Sequence, residues 1–477
     1  MSLALWLRKP QVGRGLAVGS VVLAMGGLVL ARAGGGPAVG VATAEAAAAG
    51  PNAVTFAAPG ARGVLALSQT QVLGGERAVY GELKLKADEA GAQAKQRAPL
   101  SLAVVLDTSG SMSGDKIRQA KEAAVRLVQD MHEDDQVAFV RYASDAETLQ
   151  GLARVGDVRR SLVDKIRAIE AGGGTAIPLG LSRGLRELAE ASPGRVRRVV
   201  LVSDGLDSTR AEAERLARES FERGTTISSL GVGLDFDEAY MNSVSRAGHG
   251  NFAFVKDASA LASFLSRELK EASSTTVEDA VVRLRLPEGL SLVRAVGADA
   301  RAQSGGWVEV RLGSLFAGDE RRAVLELRAS LGPGATAALE GEAAWRRVGG
   351  ERAEARVPRL AVAGTSDERA AERSVDAAVL ASATSVLAAE RQLVATEAYA
   401  RGDRKQADSL MQMNIDDLRK VERMAPPVAK RSLGRQLADY EKTRGEFDSA
   451  APGSEVARER AKSSYERNSA HTSRAKF

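Results

Sequence analysis

The sequence has no cysteine. That single absence excludes disulfides, zinc thiolates, catalytic thiols and a lipid-bearing N-terminal cysteine. It leaves the redox compartment open. Histidine is scarce: His132, His249 and His471 are the only three, and none has a partner at metal-ligand or triad spacing. His132 lies beside Glu133, Asp134 and Asp135 in a helix-to-strand loop and reads as solvated. Aromatics make up only 4% of the chain. No charge of one sign dominates, with 66 Lys and Arg against 61 Asp and Glu and a net charge of +5. That balance, spread along the chain, argues against a nucleic-acid surface. The loop Gly172-Gly-Gly174 lacks the lysine of a phosphate loop and does not follow the first strand, which argues against nucleotide binding.

What the chain does have is length and apolar content. Its 477 residues allow two to four domains, and 44% of them are hydrophobic, ample for sizeable cores. Its most informative stretch runs from Leu102 through Asp107, Ser109 and Ser111 to Met112. A continuous apolar run predicts a parallel strand buried on both faces. At its carboxyl end stand one carboxylate and two hydroxyls, at i, i+2 and i+4. Ligands of open α/β sheets bind at that edge. Three hard oxygens on one tight loop suit Mg2+. Taken alone, the loop is equally well read as an Asp capping the next helix, with serines filling the turn.

Two later stretches favour the metal. Gly172-Gly-Gly-Thr175 is a flexible loop with one hydroxyl, just ahead of a helix with Pro178 in its first turn. The run Val199 to Gly205 is a second buried strand ending in Asp204. Asp-x-Ser-x-Ser, then a Gly-rich loop with Thr, then strand-Ser-Asp-Gly, is a specific combination. In these motifs, over about residues 100 to 272, the chain resembles the von Willebrand factor type A domain, also called the integrin I domain. The resemblance implies a metal-ion-dependent adhesion site. Ser109, Ser111 and Thr175 would offer hydroxyls to the metal. Asp107 and Asp204 would hold it directly or through water. The cation would be Mg2+, with Mn2+ or Ca2+ as alternatives. Integrin β chains add a second cation site from two consecutive acids. Here the corresponding residues are Gly114 and Asp115, and Asp115 is read as a first-turn helix acid.

The chain in order begins with Arg8, Lys9 and Arg14 ahead of an apolar run from Gly15 to Ala31. This predicts a signal peptide or signal anchor, with a linker, over 1–50, and an exported, envelope-located protein. Residues 51–96 read as β strands. Residues 97–273 alternate strands and helices, the pattern of a doubly wound, mostly parallel α/β sheet. Residues 274–364 return to period two, with runs at 281–286, 307–312 and 323–328. Together with 51–96 they predict a split β-sandwich holding the α/β domain in one loop. Two separate small β domains are the alternative. Residues 365–450 read as a helical hairpin region, and 451–477 as a disordered basic tail. Arg401-Gly-Asp403 matches a tripeptide that some integrins recognise. It reads better as a helix end followed by the N-cap of the next helix.

The expected function is a non-enzymatic binding module. Three neutral hydroxyls and at most two carboxylates would leave the metal electron-poor, and a partner protein's Asp or Glu would complete its shell. Rival readings are a structural envelope scaffold in which the metal only stabilises the fold, and a metal-dependent enzyme or chelatase-type subunit. For the last, no general base accompanies the motif.

Overall fold

A computed structural model describes residues 50–89, 97–204, 207–233, 236–255, 258–450 and 454–473. The predicted signal segment lies outside the described residues. Four strands come first: β1 (Ala53–Ala58), β2 (Ala61–Leu67), β3 (Gln71–Leu73) and β4 (Glu76–Ala87). The α/β domain follows with β5 (Leu100–Asp107), α1 (Asp115–Asp130), β6 (Gln136–Tyr142), β7 (Ala146–Arg154), α2 (Val155–Arg167) and α3 (Ile177–Ala189). It continues with β8 (Val196–Ser203), α4 (Arg210–Glu222), β9 (Thr225–Val232), α5 (Glu238–Ala247), β10 (His249–Val255) and α6 (Ala258–Ser273).

Its sheet runs β10-β9-β8-β5-β6-β7, parallel except for β7. All eight residues of β5 are buried. Alternation within that run feeds two cores. Leu102, Val104 and Leu106 pack with α1, α2 and α6, and Ala103 and Val105 pack with α3, α4 and α5. Two glycines bring α3 close to the sheet. A Cβ on Gly184 would lie 2.5 Å from Val105, and one on Gly180 2.5 Å from Tyr142. Glycine inside a helix costs about 0.5–1 kcal/mol relative to alanine. Here it sets the approach of the helix that carries Thr175 on its leading loop.

Seven strands follow α6: β11 (Thr275–Arg285), β12 (Leu290–Val296), β13 (Asp299–Ala302), β14 (Trp307–Phe316), β15 (Glu320–Ser330), β16 (Thr336–Arg347) and β17 (Arg352–Thr365). They form two sheets with the first four strands, ordered β1-β2-β4-β15-β12 and β13-β14-β11-β16-β17-β3. Each sheet therefore draws strands from both sides of the α/β domain. The longest such pairing joins β4 to β15 from Glu76–Ser330 to Lys86–Glu320. Leu65, Leu83, Leu284, Leu325 and Trp345 share one core between the sheets. β16 and β17 have no counterpart among the period-two runs picked out in the sequence. Their faces are built from Ala, Arg and Glu, so the alternation is faint.

Helices α7 (Glu368–Arg373), α8 (Ala377–Ala400), α9 (Arg404–Glu422), α10 (Pro427–Ser449) and α11 (Glu455–Ser473) close the chain. Asp367, Asp376 and Asp403 cap the first three through backbone N–H groups. Gly402, at φ 84°, ends α8, so Arg401-Gly-Asp403 is a turn between helices. No helix among the described residues is long and apolar enough to cross a membrane.

The tail expectation needs correction: Glu455–Ser473 is a docked helix. Apart from Tyr465, its buried residues are small or polar, among them Ala457, Ala461, Ser464 and Asn468, so hydrophobic periodicity could not reveal it. Side-chain pairing holds it instead. Lys462, only 2% exposed, donates to the Phe236 carbonyl at 2.9 Å and to Glu238, and its ammonium lies 3.9 Å from the Phe236 ring centre. Tyr465 donates to Glu397 of α8 at 2.7 Å. Lys462→Ala leaves Glu238 and a carbonyl without this donor. It is expected to cost about 2 kcal/mol, read as a lower urea midpoint; an unchanged midpoint would show that the Lys462 contacts add nothing to stability.

Candidate metal centre

β5 and β8 lie side by side in register, so Asp107 and Asp204 come out at the same carboxyl edge of the sheet. Asp107 is fully buried. Its Oδ1 accepts the Ser109 N–H at 2.8 Å, and its Oδ2 accepts the Ser203 hydroxyl at 2.7 Å. Tyr142 reaches the same oxygen at 3.5 Å. Burial pushes the Asp107 carboxyl above its ordinary value. The two serine hydrogen bonds pull it back, and the Asp204 charge raises it further.

The hydroxyls of Ser109 and Ser111 lie 3.1 Å apart, and Ser111 donates to Asp204 Oδ1 at 2.8 Å. Ser109 and Asp204 are buried, whereas Ser111 is exposed. Four of the five predicted residues thus form one hydrogen-bonded chain: Asp107, Ser109, Ser111 and Asp204. Thr175 stands half-buried on the next loop. That loop is stitched to the first. Gly110 N–H bonds the Gly173 carbonyl at 2.9 Å, and Gly172 N–H bonds the Thr108 carbonyl at 2.8 Å. Asp207 ties the third loop to the second by accepting the Ile177 N–H at 2.7 Å.

Sequence reading missed the supporting residues. Ser203 could have been noticed as the hydroxyl preceding Asp204. Nothing in the sequence marks Tyr142 or Asp207. Lys116, whose ammonium pairs with Asp204 Oδ2, also gives no local signal. Asp115 is exposed and pairs with Arg118 at 2.9 Å, as a first-turn helix acid can.

The donor set is all oxygen: two carboxylates and three hydroxyls on three tied loops. Such a set fits a hard divalent cation. Asp107 and Asp204 would hold it, with Ser109, Ser111 and Thr175 completing the set. The metal would supply Lewis acidity toward an incoming oxygen ligand. Elsewhere, a crevice of about 720 Å³ opens where the sheets, α5 and the terminal helices meet. Some of its charges pair across it, as Arg294 does with Glu390 at 2.5 Å, and it does not include the candidate metal residues.

Residues 101–267 match the family model of the von Willebrand factor type A domain. The chain carries a von Willebrand factor type A domain. An uncharacterized protein of Synechocystis sp. is 28% identical over 244 residues, 49% of this chain and 58% of that one. Inter-alpha-trypsin inhibitor heavy chain H2 of Mus musculus is 30% identical over 169 residues, 32% of this chain and 17% of that one. The chain therefore spans less than two thirds of the length of these relatives. The solved structure of a von Willebrand factor type A protein from Catenulispora acidiphila superposes with a TM-score of 0.67 at 17% identity. It covers 88% of this chain and 97% of its own. That breadth takes in flanking sheets and helices, and it shows a shared fold.

Proposed function

We propose that the chain is an exported, divalent-metal-dependent protein-binding module that captures an acidic side chain of a partner at the edge of its α/β sheet. The observation that carries this reading is the hydrogen-bonded chain Asp107–Ser109–Ser111–Asp204, joined by tied loops to Thr175. Five oxygen donors, three of them neutral hydroxyls, leave one position of an octahedral Mg2+ shell open and the ion electron-poor. A carboxylate from a partner is the ligand that completes it. The contact would be charge-assisted and central to an interface, with neighbouring side chains setting specificity. Two of the histidines are engaged elsewhere: His249 stacks on Phe221 and His471 lies against Ser385. That supports binding over hydrolysis. The basic, then apolar, N-terminus supports export.

Mg2+ or Mn2+ is expected to raise the thermal midpoint, since a ligand at a hundredfold excess over its Kd adds about 2.7 kcal/mol. Asp107→Ala is expected to abolish that rise. The substitution removes a carboxylate whose charge burial already disfavours, so the metal-free protein should stay folded. A metal-induced rise that persists in Asp107→Ala would place the ion elsewhere and end the reading.

A further inference from the structure

Asp204 is already paired with a cation. Its side chain is wholly buried, and the ammonium of Lys116, from the first turn of α1, bonds its Oδ2 while Ser111 takes Oδ1. Burying a carboxylate without a counter-charge is costly, and the ammonium offsets that cost. The lysine itself is 28% exposed, so its stem reaches the buried acid from the solvent side. Gly233, at φ 81°, clears the path: a Cβ there would lie 2.9 Å from Lys116 Cε. The pair therefore joins a buried acid to a cation that can swing into water without repacking the core.

We infer that Lys116 is a tethered counter-ion that holds Asp204 in the metal-free protein and gives it up when a divalent cation enters. The inference rests on the metal reading of this site. With the lysine in place, two carboxylates and one ammonium leave the cluster at −1. Replacing the ammonium with a divalent ion brings it to zero. Metal entry is thus an exchange of cations at one carboxylate, and the lysine weakens the apparent affinity by the strength of the pair it must give up. The same residue keeps the empty domain stable, so folding does not depend on metal.

The test uses the full chain and Mn2+ alone as the probe, followed by calorimetry, with the metal-free thermal midpoint as a second readout. Lys116→Met keeps the aliphatic stem and removes the charge. It is expected to bind Mn2+ about tenfold more tightly than wild type, equivalent to about 1.4 kcal/mol, and to have a lower metal-free midpoint. Lys116→Gln, a neutral donor on a stem one atom shorter, should show the same tightening, and it keeps the test alive should the Met variant fold poorly. Wild-type Mn2+ affinity in both variants, with Asp107→Ala binding none, would overturn the counter-ion role and leave the metal reading standing. No Mn2+ binding by wild type or either variant would overturn both.

Discussion

Lowering the pH from 7 to 4.5 is expected to remove about 3 kcal/mol of stability through two histidines at the seams of the fold. His249 stacks on Phe221 of α4 with ring centres 3.7 Å apart, beside Gly313 of β14. Burial, then the charges of Arg321, Arg311, Arg246 and Arg301, holds its imidazole down at about 3. His471 of α11 lies 2.8 Å from Ser385 of α8, and burial with Arg322 holds it at about 4. A lowered histidine favours the neutral ring in the folded state. Its contribution is complete above the ordinary value of about 6.5 and is lost as the pH falls toward the folded value. Each ring would lose about 2.5 kcal/mol between pH 7 and 4.5; both residues keep a partly exposed edge, and solvent screening there reduces the pair to the smaller total. Asp107, Glu278 and Glu466 are raised, mainly by burial, and push in the opposite direction. The informative comparison is therefore with a His249→Asn, His471→Gln double variant, since Asn tolerates the φ of 53° at position 249. Urea midpoints at the two pH values should converge in the variant. If it loses as much stability as wild type, the acid response arises elsewhere.

How legible each part was depended on how the chain writes it. The α/β domain was written in strong signals. β5 and β8 are unbroken apolar runs, and α1 buries Ala120, Ala124, Leu127 and Val128 at helical spacing. The five oxygen donors stand in local motifs, so their approach at one sheet edge follows from parallel pairing of β5 with β8. Local sequence could not give the partners that come from other elements. Ser203 hydrogen-bonds Asp107 across 96 positions, and Lys116 reaches Asp204 across 88. Such contacts depend on register and rotamer, which periodicity does not encode. The helix α11 was hidden for another reason. It is held by Lys462, Tyr465 and Ser469 through polar pairs, and a polar helix reads as solvated chain.

Trp345→Ala is expected to cost about 3–5 kcal/mol, the range for deleting a large aromatic from a core. Trp345 is 1% exposed, in β16, and its indole donates to the Pro59 carbonyl at 3.0 Å, in the turn between β1 and β2. The residue thus joins segments 286 positions apart, one on each side of the α/β domain. The loss should therefore not stay in the later strands. β1 and β2 have β4 as their connection to β15, so emptying the space beneath the turn should raise amide hydrogen exchange in residues 53–67 as well as in 336–365. The α/β core should behave differently. Leu102, Val104 and Phe139 belong to a separate cluster and share no atoms with the indole, so exchange in β5 and β6 should remain slow until global unfolding. Trp345→Phe separates the two contributions. It keeps most of the apolar area and drops the hydrogen bond, and should cost about 1–2 kcal/mol. Faster exchange confined to residues 336–365, with 53–67 unchanged, would mean that the sheets do not stand or fall as one sandwich. In that case the two sheets, each still combining strands from both sides of the α/β domain, would open as separate units.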